Sequence, residues 1–146
     1  MEKGFILSAL NEDDIFWFQT FGKMENISAG HVLIQESNPL ERFYIVLVGN
    51  LAVLLSSQGD RQIAELGSGQ VLGEMSLVDS RPSAATVRAL EDSIVLSVSQ
   101  RMLAEKLQQD EGFASRFYRA IAMFLSSRLR STFVQFGYSD EPEQPE

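Results

Sequence analysis

The hydrophobic rhythm of the chain changes twice. Over residues 5–21, Leu7, Leu10, Ile15, Phe18 and Phe21 recur at roughly helical spacing, which predicts an N-terminal helix. Asn11 and Asp14 supply a cap and an acidic first turn within it. From residue 24 the pattern shortens into brief β-rich runs at 31–35, 43–48, 51–56, 61–66, 85–89 and 94–98. Turn residues separate them: Ala29-Gly30, Ser37-Asn38-Pro39, Gly49-Asn50, Gln58-Gly59-Asp60 and Gly67-Ser68-Gly69. Many short strands punctuated in this way favour a sandwich or barrel. Helical spacing returns at 100–109 and again over about 113–136, while 139–146, with two prolines and four acids, reads as a frayed acidic tail.

Length and composition narrow the class. A chain of 146 residues is one domain, large enough to bury roughly 68–70% of its unfolded surface. A hydrophobic content of 45% is ordinary for a folded chain. No apolar run approaches the ~20 residues of a membrane span, and no secretory signal stands at the start. The absence of cysteine excludes disulfides, thiolate metal sites and thiol catalysis, and fits a reducing cytoplasm. A net charge of −8 argues against nonspecific nucleic-acid binding, which needs a basic surface.

The chemistry concentrates in Leu72-Gly73-Glu74-Met75-Ser76-Leu77, followed by Arg81-Pro82-Ser83-Ala84-Ala85-Thr86. The first half reads as an anion cradle: a glycine allows close backbone approach, and a helix start presents free N–H groups. Glu74 is an acceptor able to hold a sugar hydroxyl. The plainer readings are a turn glycine at Gly73, a dipole-favoured glutamate at Glu74, and local backbone caps at Ser76 and Ser83. The single His31 cannot build a multi-histidine metal centre, and no serine is supplied with a base, so neither a metal site nor a catalytic residue is expected.

Taken together, these segments resemble the cyclic-nucleotide-binding domain family. Its phosphate-binding cassette runs Gly-Glu-x-[Ala/Ser]-Leu before a Pro-Arg-[Ala/Ser]-Ala-Thr-like stretch. Ala29 to Ile34 is similar to the family's early turn and strand, and Phe43 to Leu51 to its central hairpin. The resemblance implies a mainly β fold with flanking helices: a double-stranded β-helix, or jelly roll, with one N-terminal helix and two C-terminal helices. The domain would span 1–138, with the β-roll at about 24–99 and the C-terminal helices at about 100–136.

The resemblance also implies roles. Gly73 and the following N–H groups would hold a cyclic phosphate, and Glu74 a ribose hydroxyl. The implied ligand-binding set is Leu72, Gly73, Glu74, Met75, Ser76, Arg81, Ser83 and Ala84. Ser83 stands where the family places the phosphate-pairing arginine, and a hydroxyl brings neither charge nor a donor fork. Losing one member of a buried ion pair costs roughly 3–5 kcal/mol, about two to three and a half decades of affinity. Arg81, held extended by Pro82, either compensates from two residues away or is a loop arginine facing water or Asp79.

Phe113, Phe117, Ile121, Phe124, Leu125 and Leu129 form an apolar stripe on the last helix, with Tyr118, Met123 and Val134 beside it. Its early turns are expected on the roll, as a lid or core contact, and its later turns against a twin helix. Arg116, Arg119, Arg128 and Arg130 make the helix basic: a solvated face, a source of the missing pocket charge, or a partner for the acidic tail. The resulting expectation is a stand-alone, non-enzymatic sensing module signalling through its C-terminal helix. No cofactor is required; the candidate ligand is cAMP, favoured weakly by the small Ala84, or cGMP. A homodimer and an unidentified protein partner are expected, with no DNA binding by this chain and no membrane association. The competing readings are an interaction or dimerisation scaffold with a degenerate pocket, and a sensor of another anion.

Overall fold

A computed structural model describes residues 8–137, so the start of the expected N-terminal helix and the acidic tail lie outside the described residues. Helix α1 is Glu12–Phe21. The strands follow: β1 Lys23–Ile27, β2 Val32–Ile34, β3 Arg42–Val48, β4 Leu51–Leu55, β5 Arg61–Leu66 and β6 Val71–Leu72. A six-residue helix α2, Glu74–Asp79, leads to β7 Thr86–Ala89 and β8 Ser93–Ser99. Helices α3, Gln100–Gln109, and α4, Glu111–Gln135, close the described chain.

The strands build two four-stranded sheets, ordered β1-β8-β3-β6 and β2-β7-β4-β5. Every pairing is antiparallel. This is the double-stranded β-helix with flanking helices that the sequence resemblance implied. The central pair β3–β8 sets Phe43 opposite Val98 and Ile45 opposite Leu96, which fixes the buried face of the first sheet.

Three local departures from the sequence pattern have physical causes. Asn11 accepts the Asp14 N–H at 2.9 Å, and Asp14 accepts the Asn11 N–H at 3.1 Å. This reciprocal capping box holds Asn11 extended, so the helix begins at Glu12 and does not run unbroken from residue 5. Strand β1, Lys-Met-Glu-Asn-Ile, has little intrinsic strand character. It forms because β8 offers a partner along its full length, from Lys23 opposite Ser97 to Ile27 opposite Ser93. Strand β6, two residues long, is too short to carry any period; it exists by pairing with Tyr44 and Ile45.

The last helix is anchored by aromatic packing. Phe113 and Phe117 stack with centroids 5.8 Å apart, and Phe117 meets Phe43 of β3 at 5.5 Å. Phe18 of α1 approaches Phe113 at 5.9 Å, and all four rings are essentially inaccessible. Ala120, Ile121 and Phe124 continue the buried stripe. Beyond them the apolar side chains emerge: Leu129 is 54% exposed and Phe136 78%. The early turns of α4 therefore lie on the roll, as expected.

Candidate ligand pocket

The turn between β6 and α2 is built around Gly73. Its φ of 86° lies in the left-handed region, and a Cβ there would stand 2.8 Å from the Arg42 carbonyl oxygen. Only glycine meets both demands. Gln100, the first residue of α3, donates from Nε2 to the carbonyls of Arg42 and Gly73, at 3.1 and 3.3 Å. It clamps the turn to β3. Nothing in the sequence marked Gln100; a lone glutamine at a helix start carries no motif.

The first main-chain bond of α2 runs from the Leu77 N–H to the Gly73 carbonyl at 3.1 Å, so the helix itself leaves the N–H groups of its first turn unused. Ser76 is buried and donates its hydroxyl to the Arg81 carbonyl at 2.6 Å, closing the loop that follows the helix. Ser83 pairs through its main chain with Ser37 and Asn38, at 2.8 and 3.0 Å. Its hydroxyl donates to the Ala85 carbonyl at 2.6 Å. The Ser83 oxygen also accepts the Ala85 N–H at 3.4 Å, the local cap the sequence offered, whereas Ser76 serves a backbone carbonyl instead of an N–H.

Thr86 is likewise committed to structure. Its oxygen accepts the Glu36 N–H at 3.0 Å and lies 2.7 Å from the Ser56 hydroxyl, tying β7 to the neighbouring loops.

These pieces surround a cavity of about 140 Å³ inside the roll. Its walls are Ile34, Leu40, Val53, Leu66, Val71, Ala85 and Val87. Leu72, Gly73, Glu74, Met75, Ser76, Ser83 and Ala84 line it as a group, and Phe124 and Arg128 of α4 face it from above. Met75 and Ala84 are exposed, whereas Leu72 is buried. Arg81 is the one member of the sequence-derived set that does not line the cavity. Its side chain is 80% exposed, 3.9 Å from Asp79, and its N–H is held by the same carboxylate at 3.0 Å. Ser80, left-handed at φ 61°, and Pro82 turn this segment outward, so extended geometry does not carry Arg81 inward.

Electrostatics single out two groups in the cavity wall. Burial pushes the Glu74 carboxyl up to about 7, against the opposing pull of its own backbone N–H and of Arg128. Arg128 is half-buried and is the only cation among the lining residues. The other helix arginines do different work. Arg116 forms a two-pronged pair with the buried Asp14, at 2.6 and 2.9 Å, while Arg119 and Arg130 are exposed. Arg128 was legible only as one of four basic residues; helical phase relative to Phe124 separates it from the rest.

The model of the cyclic nucleotide-binding domain matches residues 24–110. The chain belongs to this family. Its members are typically regulatory and not enzymatic. The chain is similar to the cAMP-dependent protein kinase regulatory subunit of Blastocladiella emersonii, 26% identical over 80% of this chain and 29% of that protein. It also resembles the Pycsar effector protein PaPycTIR of Pseudomonas aeruginosa, 39% identical over 53% of this chain and 25% of that one. It thus spans less than a third of either relative. Among solved structures, a cyclic nucleotide-binding domain from Methylobacillus flagellatus KT superposes with a TM-score of 0.79 at 18% identity. That match covers 92% of this chain and 76% of the other, and it bears on the fold.

Proposed function

We propose that this cyclic nucleotide-binding domain is a non-enzymatic sensing module that takes a cyclic nucleotide in the cavity behind Gly73 and signals through α4. One observation carries the reading. The cavity is lined by Gly73, Glu74, Met75 and Ser76 on one side and by Phe124 and Arg128 of α4 on the other. A ligand there touches the turn and the helix together, and so favours one helix arrangement over another. Glu74 is placed to accept a ribose hydroxyl, and Ala84 supplies no hydroxyl for a guanine, which favours cAMP over cGMP. The hydroxyls of Ser76 and Ser83 are engaged with backbone carbonyls, so neither is poised as a nucleophile. The same reading places the module in the cytoplasm, unattached to membrane or DNA. It acts on a protein partner and pairs with a second copy through the exposed turns after Leu129.

Calorimetric titration with cAMP and cGMP tests this. Binding of cAMP by the native chain, strengthened roughly 100-fold or more in Ser83→Arg, is the expected result. Heat-silent titrations of both proteins at millimolar nucleotide would overturn it.

A second reading rests on Ser83, which holds the expected arginine position and turns its hydroxyl onto the Ala85 carbonyl. On that reading the cavity is degenerate and the domain is an interaction scaffold. Binding gained only in Ser83→Arg would favour it.

A further inference from the structure

We infer that Arg128 is the group that pairs with the ligand's phosphate, a role moved from the loop position before β7, now held by Ser83, to the C-terminal helix. The inference rests on the cavity being a cyclic-nucleotide site, and names how that site meets an anion.

The wall of the cavity contains one cation, and it is Arg128. Three other basic side chains are paired with acids: Arg116 with Asp14, Arg81 with Asp79 and Lys106 with Asp110. Among the described residues, no side-chain hydrogen bond or ion pair engages the Arg128 guanidinium. Ser83, whose hydroxyl is spent on Ala85, offers no charge.

Position is fixed by helical phase. Phe124 is 2% exposed and lies one turn before Arg128 on the same face. With Phe124 buried in the core, the helix lying on the roll carries the Arg128 stem to the cavity wall. Across the cavity stands Glu74, so the site offers an acceptor on one side and a cationic fork on the other. That is the complement of a ligand carrying a hydroxyl and a phosphodiester, for which guanidinium is the better-matched cation.

The consequence is coupling. An arginine at the Ser83 loop position would bind phosphate whatever α4 does. An arginine on α4 binds phosphate only when the helix lies on the roll, so ligand affinity and helix position become one equilibrium.

The test is cAMP titration at two salt concentrations for the native chain, Arg128→Gln, Arg128→Lys, Ser83→Arg, and the Ser83→Arg/Arg128→Gln pair, with circular dichroism confirming the fold of each. The expected result is a roughly 10- to 100-fold loss in Arg128→Gln, partial retention in Arg128→Lys, and a flattened salt dependence. Ser83→Arg should restore binding to the Arg128→Gln protein. Unchanged affinity and salt dependence in Arg128→Gln would overturn the inference and leave the cyclic-nucleotide reading standing. So would a native chain that is silent while Ser83→Arg binds, because Arg128 would then be insufficient. If no variant binds, the site reading fails and takes this inference with it.

Discussion

Glu74 sits in a mostly apolar wall, and burial raises its pKa to about 7 from an ordinary 4.5. The folded state therefore holds the proton more tightly than the unfolded chain. Glu74's contribution to stability is full below about pH 4.5 and is lost as pH rises towards 7. Glu74→Gln removes this dependence. Urea denaturation at pH 5 and pH 8 should show the variant gaining on the native protein as pH rises, by about 3 kcal/mol at most. Parallel pH profiles would contradict it. Gly73 carries a different cost. Gly73→Ala must take a positive φ and push its Cβ against the Arg42 carbonyl, so a loss of about 2 kcal/mol or more is expected in the same assay. The glycine, the glutamate and the serines were visible in the sequence as a cassette. For Arg81 the sequence left two placements open, compensation at the pocket or a loop arginine facing water or Asp79; the left-handed Ser80 and the Asp79 contact select the second.

Helix α4 links core, N-terminal helix and cavity, with different turns serving each. Phe117 packs against Phe18, Phe43 and Phe113. Phe117→Ala should cost about 3–5 kcal/mol in denaturation, through lost burial and a residual cavity. One residue earlier, Arg116 holds Asp14 of α1, a carboxylate with 3% of its surface exposed. That bond holds the Asp14 pKa below its ordinary 3.8, with burial opposing. Its stabilisation is therefore present above about pH 3.8 and lost as pH falls through the lowered folded value. Arg116→Met strands the carboxylate, whose burial then favours the protonated form. The variant should be less stable than the native chain at pH 7, and the gap should close as pH falls below about 4. A gap that persists into acid would show that Arg116 acts through packing alone. The aromatic stripe predicted this helix; its ion pair to α1 joins residues 102 positions apart and could not be read from local pattern.

For the molecule as a whole, ligand binding and stability are one measurement. A cyclic nucleotide at 100 times its Kd adds about 2.7 kcal/mol to the folded state. At roughly 2–4 °C per kcal/mol for a chain of this size, Tm should rise by about 5–11 °C. A Tm indifferent to millimolar cAMP and cGMP would favour the scaffold reading. Leu129, Val134 and Phe136 are exposed on the late turns of α4, although Gln135 beside them donates from Nε2 to the Ile63 carbonyl of β5 at 3.1 Å. Leu129→Glu should reduce self-association in sedimentation experiments without lowering Tm of the monomer, if those turns pair with a second copy.

Sequence by itself determined the fold class, most of the strands, both C-terminal helices and the identity of the cassette. The strands and helices follow from local periodicity and turn chemistry, which act over a few residues; the jelly-roll fold class and the cassette are what the resemblance to the family implied. Tertiary structure alone decided β1 and β6, whose formation depends on strands far away in the chain. It also decided which positive charge meets the cavity. Arg81 is nearest in sequence but is directed to solvent by the backbone around it. Arg128 is more than 40 residues beyond the cassette, yet Phe124 in the core holds its helical face over Glu74. Proximity along the chain is a poor guide to charge placement, because a guanidinium is positioned by the element that carries it and by what that element buries.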